Sequence, residues 1–247
     1  ISAGSHLSIV DLGARRVLAQ LPVAVDAQIT YDADAKVAWV VGMSDDGTGV
    51  RVRRVSVGAD SLTDQGSWTT KGMLVDARRV GGQLHVVASD GFVTPMGTEG
   101  LPFGGKAVPC GQVLHPAGTS DPTATLLATL PVQGALQPVH TAEVVGSGQL
   151  VHVTTGAAYL ATPQWDGAGT TTTIHRFDLS DLTHTGSGRV QGTLLNQYAM
   201  SDHDGHLRVA ITRTGPISVG RPMPVDDVAV SPPATVGELQ EPETTVA

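Results

Sequence analysis

Histidines and carboxylates at close spacing are the first place to seek chemistry in this chain, and Asp202-His203-Asp204-Gly205-His206 is the densest such run. Imidazole and carboxylate groups around one turn could hold a transition metal, with Asp202, His203 and His206 as ligands. The same residues read equally as a plain β-hairpin, because Asp-Gly is a strong two-residue turn signal and its flanking side chains are then simply exposed. Asp202-x-Asp204-Gly205 also resembles part of a calcium loop. Laid on that pattern, however, its first position is Met200 and its twelfth Ile211, and neither is a ligand. Ser44-Asp45-Asp46-Gly47 fails in the same way, with Gly42 first and Arg53 twelfth. No cofactor is therefore expected; calcium or a transition metal in some other loop geometry is the alternative.

Nine histidines among many Ser and Asp residues allow a Ser/His/Asp triad to be imagined, yet no G-x-S-x-G elbow occurs. His85, His152 and His175 fall in strand-like runs, where they read as packed or solvent-facing groups. The glycines of GSGQLV and GSGRVQG do not open a helix, so no dinucleotide site follows. Arg51 and Arg53 share one face of a strand and could grip a carboxylate. Their blander reading is edge-strand charge that discourages sheet-to-sheet pairing. Trp39 lies in an apolar strand and reads as core. Trp68 (QGSWTT) and Trp165 (PQWDGAG) stand in polar surroundings and are candidate contact anchors for a protein or glycan, with half-buried capping as the other reading.

Strands must position all of these groups. A turn with Gly or Asp, followed by an alternating apolar run, recurs at 32–42, 80–89, 146–155 and 203–212. Aligning Val37, Leu84, Leu150 and Leu207 gives spacings of 47, 66 and 57 residues, a four-stranded unit plus loop-sized insertions. A second strand follows in each unit (6–12, 50–57, 123–130, 172–179). A more polar third comes next (ARRVLAQLPV, SLTDQGSWTTKG, DLTHTGSGRVQG). This order predicts an all-β fold, a β-propeller of four-stranded antiparallel blades. The chain covers about three to four blades of a larger or incomplete ring, beginning with the outer half of one and ending in the first strands of another. A sandwich of irregular hairpins is the competing architecture. Blades are expected over 1–221, and the Gly/Pro-rich stretch 92–122 reads as a long inserted loop.

The net charge is −8, with 15 % charged residues and no basic stripe, which argues against nucleic-acid binding. Five acids and no Lys or Arg fall in 222–247, leaving the rest of the chain at −3. That Pro/Thr/Glu-rich segment reads as a flexible acidic tail or an insertion. One cysteine, Cys110, excludes an internal disulfide and reads as a small buried residue. No apolar run approaches the length of a membrane span. The opening Ile1, inside a strand-like run, suggests a piece or a trimmed form.

Four segments carry a family resemblance: GMLVDARRVGGQLHVVAS at 72–89, VPCGQVLHP at 108–116, TTIHRFDL at 172–179 and GRVQGTLLNQYAMSDHDGHLRVAITR at 188–213. Together they resemble secreted bacterial and archaeal proteins with a C-terminal β-propeller domain, distantly related to WD40 repeats. His203 and His206 stand where such proteins look typically aromatic, which counts against a family-wide metal site. The resemblance implies a secreted or cell-surface domain without an established catalytic set. The expected function is a binding or scaffold module that presents loops such as 92–122 and 160–170 to a protein or glycan of the cell envelope, with the remaining blades supplied by another segment or chain. The rival is an envelope-associated hydrolase using the mouth of the central channel; a third reading is a spacer that orients neighbouring domains.

Overall fold

A computed structural model describes residues 2–3, 5–25, 27–91, 101–103, 106–108, 113–116, 121, 123–165 and 169–213. Cys110 and the acidic segment 222–247 lie outside the described residues. Twenty strands and one 3-10 turn (Gln197–Ala199) are present, with no α-helix among the described residues. The first sheet holds β1 (Ser2–Ala3), β2 (His6–Asp11) and β3 (Arg16–Pro22). The second is the antiparallel meander β4 (Gln28–Asp32), β5 (Val37–Met43), β6 (Gly49–Val57) and β7 (Leu62–Lys71). The third contains β8 (Met73–Val80), β9 (Gln83–Gly91), β13 (Thr123–Pro131) and β14 (His140–Val145). Between β9 and β13 come a small hairpin, β10 (Leu101–Phe103) with β11 (Lys106–Val108), and β12 (Val113–Leu114), which joins the outer edge of β14 in parallel. A second clean meander follows, β15 (Leu150–Val153), β16 (Ala157–Trp165), β17 (Thr170–Asp178) and β18 (His184–Gln191). The hairpin β19 (Met200–His203)–β20 (His206–Val209) completes the described strands.

The blade order expected from the sequence is present, with one correction. Val37, Leu84 and Leu207 lie in second strands (β5, β9, β20), whereas Leu150 lies in a first strand, β15. The equivalent of the others falls in β16. The misalignment has a local cause: the connection 146–149, entering a first strand, carries the same Gly-rich signal as a hairpin turn. The stretch 92–122 is the β9–β13 connection, and its described part contributes strand β12 rather than loop alone.

Side chains alternate across each strand, so a sheet covered on both faces reads as a nearly continuous apolar run. The central strands show this. Val37, Trp39 and Val41 of β5 enter one core with Val50, Val52 and Trp68, against Leu84, Val86, Leu126 and Leu130 of the third sheet. Ala38 and Val40 point the other way, to Leu7 of the first sheet and Val23 of the link that follows it. Val87 and Leu127 face Leu160 and Phe177 of the fourth sheet. Ala157, Tyr159 and Ile174 face Met200, Val209 and Ile211 around the last hairpin. Five sheets thus stack face to face with four cores between them, as successive blades do. Polar bonds stitch the same seams: buried Arg54 of β6 donates to the carbonyl oxygens of Val132 (3.2 Å) and Gly134 (2.7 Å) in the β13–β14 connection of the next sheet.

Candidate functional site

Alternation also decides where the candidate metal ligands point. Asp204 (φ +52°) and Gly205 (φ +75°) form the expected two-residue turn, left-handed at both positions. His203 pairs across it with His206, and both imidazoles lie on the exposed face. His203 Nε2 lies 3.2 Å from Asp204 Oδ2, and His206 Nδ1 is 2.9 Å from the Asp204 carbonyl oxygen. Asp202, one residue along β19, points to the opposite face, where its carboxylate accepts a 2.6 Å bond from the Tyr159 hydroxyl. The three proposed ligands therefore do not converge. Among the described residues no group of three or more His, Cys, Asp or Glu is placed to hold a metal ion.

Asp202 belongs instead to a polar network along the first strands, which pack against one another from sheet to sheet. Arg79 of β8 donates to Asp32 at the end of β4 (3.0 Å), whose other oxygen caps the turn amides of Asp34 and Ala35. Arg78 donates to Asp76 (2.9 Å) and to the amide oxygen of Gln197, just before β19. Arg176 donates to the Tyr159 oxygen (3.3 Å) and lies 6.0 Å above its ring. Burial, then the bond to Asp202, raises the pKa of the Tyr159 phenol. Burial lowers that of His152, whose ring is 6.1 Å from Tyr159; the Asp202 charge opposes this and the Arg78 charge reinforces it. Sequence reasoning found no partners for Arg78 and Arg79. The Arg79–Asp32 and Arg78–Gln197 contacts join residues 47 and 119 positions apart, and contacts at that range leave no local signal.

The other strand histidines are packed. His85 (6 % exposed) bonds Thr129 Oγ1 through Nδ1 at 3.1 Å. His175 (1 % exposed) lies between Thr162 Oγ1 (3.2 Å) and Ser187 Oγ (2.8 Å). Burial holds each near pKa 4, so both are neutral at neutral pH. Arg51 and Arg53 do share a face and each grips a carboxylate, but the carboxylates are this chain's own. Arg51 pairs with Asp45; Arg53 donates to Asp64 (3.0 and 2.6 Å) and to the Pro22 carbonyl oxygen (2.6 Å). The edge-strand reading of these arginines is corrected too, since β6 lies inside its sheet, between β5 and β7. Trp68 is not a loop residue: it sits in β7, 6 % exposed, in the core between the second and third sheets. Its polar neighbours belong to the strand's other face. Trp165 ends β16 and is 56 % exposed; residues 160–165 are strand, and 166–168 lie outside the described residues.

Chain connectivity gathers the exposed apolar groups. In an antiparallel meander the second-to-third connection and the link to the next sheet leave from the same end. The links are short (23–27, Gly72, 146–149, 192–199), so these ends lie side by side through the stack. Among the described residues ten large apolar side chains are exposed, and six of them, Val25, Met43, Met73, Trp165, Leu195 and Tyr198, belong to this one end. The 92–122 connection springs from it as well. Leu195 and Tyr198 are 82 % and 84 % exposed on a pinned turn: Asn196 Oδ1 accepts from the Tyr198 amide at 2.9 Å, and Gln197 is tied to Arg78.

A family model described as Beta propeller domain matches residues 17–241. No curated protein matches the chain.

Proposed function

Since the chain belongs to that Beta propeller domain family, we propose that it is an extracytoplasmic, distantly WD40-like recognition module without catalytic activity of its own. It binds a protein or glycan of the cell envelope through the connection-bearing end of the stack. Further blades, from another segment or chain, complete the ring.

One observation carries the reading: among the described residues, most of the exposed large apolar side chains sit at a single end, on strand ends and on short links between sheets. Apolar and aromatic groups that protrude from a rigid frame lose little freedom on contact, which is what a recognition surface needs. The polar groups on the first strands weigh against the hydrolase alternative, because Asp32, Asp76 and Asp202 are each bonded to Arg79, Arg78 or Tyr159. The resemblance of 72–89, 108–116, 172–179 and 188–213 to secreted proteins supports the location, and fractionation of producing cells tests it.

The binding test is capture of envelope and culture-medium proteins and glycans on the immobilised chain. Alanine at Trp165, Leu195 and Tyr198 together is expected to abolish saturable capture. Alanine at Leu12 and Val139, exposed at the opposite end, is expected to leave it intact. Equal effects from the two sets, or none from the first, would overturn the assignment of the face.

A further inference from the structure

We infer that β12 is a strand under protonation control, held against β14 while Glu143 is neutral and released when Glu143 ionises. Glu143 lies in the middle of β14 with none of its surface exposed, and neither carboxyl oxygen has a hydrogen-bond partner. Its cross-strand partners are Leu126 on β13 and Val113 on β12, so it shares their face of the sheet. That face closes the core containing Trp39, Val50, Val52 and Trp68, and Val113 packs beside it.

No described group hydrogen-bonds the carboxyl: Trp39 Nε1, Thr70 Oγ1 and Arg54 Nε, on the facing sheet, are likewise buried without a partner, so none of them reaches it. Thr141 and Val145, its same-face neighbours on β14, are uncharged, as are Leu126 of β13 and Val113 of β12. From the facing sheet β5 presents Trp39 and Val41, and β7 presents Trp68 and Thr70. The charged side chain on that face is Arg54 of β6, whose terminal nitrogens are already bonded to the Val132 and Gly134 carbonyls. A buried carboxylate without partners is costly. The least costly relief is to open the nearest weak element.

β12 is that element. Only two residue pairs join it to the sheet, at an edge. On its other side Leu114 borders a cavity of about 360 Å³, with Phe177, Leu182, Asp181 and His184 across it, so the strand is incompletely packed from below. Elements with few contacts open first. Release of β12 uncovers the flank of Glu143 and lets water reach its carboxyl.

The sign follows from proton linkage. Burial pushes the Glu143 carboxyl from 4.5 up to about 7. The docked state therefore binds the proton more tightly, and docking is unaffected below about pH 4.5. It weakens as pH rises from there to about 7 and is level above. Between pH 5 and 8 the docking equilibrium falls by at most roughly 70-fold, the limit in which release restores the ordinary pKa.

Amide hydrogen exchange on the whole chain, corrected for the intrinsic pH dependence of exchange, reads this at the β12 amide that faces β14, one of Val113 and Leu114, since alternate amides of an edge strand face its partner. Its protection is expected to fall from pH 5 to pH 8 by up to that factor, while amides of β16 and β17 hold theirs. In Glu143→Gln, β12 should stay protected at both pH values; Glu143→Met, apolar and of similar length, gives the same flat profile should the Gln variant not fold. Unchanged wild-type protection across the range overturns the inference. So does a pH dependence that survives in the Glu143 variants, which would assign it to another group such as His115 or His184.

Discussion

Replacing Gly49 with alanine should part β6 from β7 at the end of the sheet that we assign to partner contact. A Cβ placed on Gly49 falls 2.1 Å from the carbonyl oxygen of Thr70, 3.0 Å from its carbon and 3.2 Å from Cα of Lys71. All three are backbone atoms, so no side-chain rotation removes the overlap, and the strands must separate by an ångström or more. Gly49 pairs with Lys71 at the start of the β6–β7 ladder. Its amide donates to Ser44 Oγ (2.9 Å) and its carbonyl accepts from the Ser44 amide (2.7 Å), so the turn 44–48 shifts with it. Losing one or two ladder bonds costs about 1 kcal/mol each. Loosened packing of Val50 and Trp68, now 1 % and 6 % exposed, adds a comparable amount. The expected loss is about 2–4 kcal/mol, and for a domain of this size each kcal/mol lowers Tm by about 2–4 °C. Gly186→Ala is the control, since the position at which its Cβ would stand is open and no other atom lies within 4 Å. Urea unfolding of both variants beside the wild type measures the difference. A Gly49→Ala midpoint within error of the wild type, or an equal drop in Gly186→Ala, would refute the steric argument.

His85 and His175 are buried and neutral with pKa values near 4, so the unfolded chain binds their protons more tightly. Their contribution to stability is intact above about pH 6.5 and is lost as pH falls towards 4, by up to roughly 3 kcal/mol each. Glu143 titrates in the opposite sense, so the comparison belongs in the Glu143→Gln background. There, adding His175→Gln should narrow the gap between urea midpoints at pH 7.5 and 4.5, and an unchanged gap refutes the assignment. The two tryptophans should separate cleanly: Trp68→Ala removes a core side chain and costs about 3–5 kcal/mol, while Trp165→Ala changes the unfolding midpoint little. Equal costs would mean that Trp165 is packed rather than displayed.

Much of the architecture was legible because strand signals are local. The outer strands ARRVLAQLPV, SLTDQGSWTTKG and DLTHTGSGRVQG hold the fourth positions β3, β7 and β18, and 50–57, 123–130 and 172–179 hold the third. The Asp204-Gly205 turn was legible for the same reason, since two adjacent residues determine it. Leu150 was misaligned because one turn chemistry serves two kinds of connection. Trp68 was misjudged because only one face of β7 is polar, and composition averages the two faces.

Sequence by itself determined the strand content, the four-strand repeat and the acidic balance, all of which follow from period-2 patterning and composition. Which charges meet was decided by the tertiary structure alone. Arg79 finds Asp32 and Asp202 finds Tyr159 because separate sheets stack, and no spacing along the chain encodes that contact. The same stacking buries Glu143 without a partner and brings the exposed Leu195, Tyr198 and Trp165 to one end. Burial and orientation belong to a side chain's surroundings in three dimensions, and the linear order fixes only its neighbours along the strand.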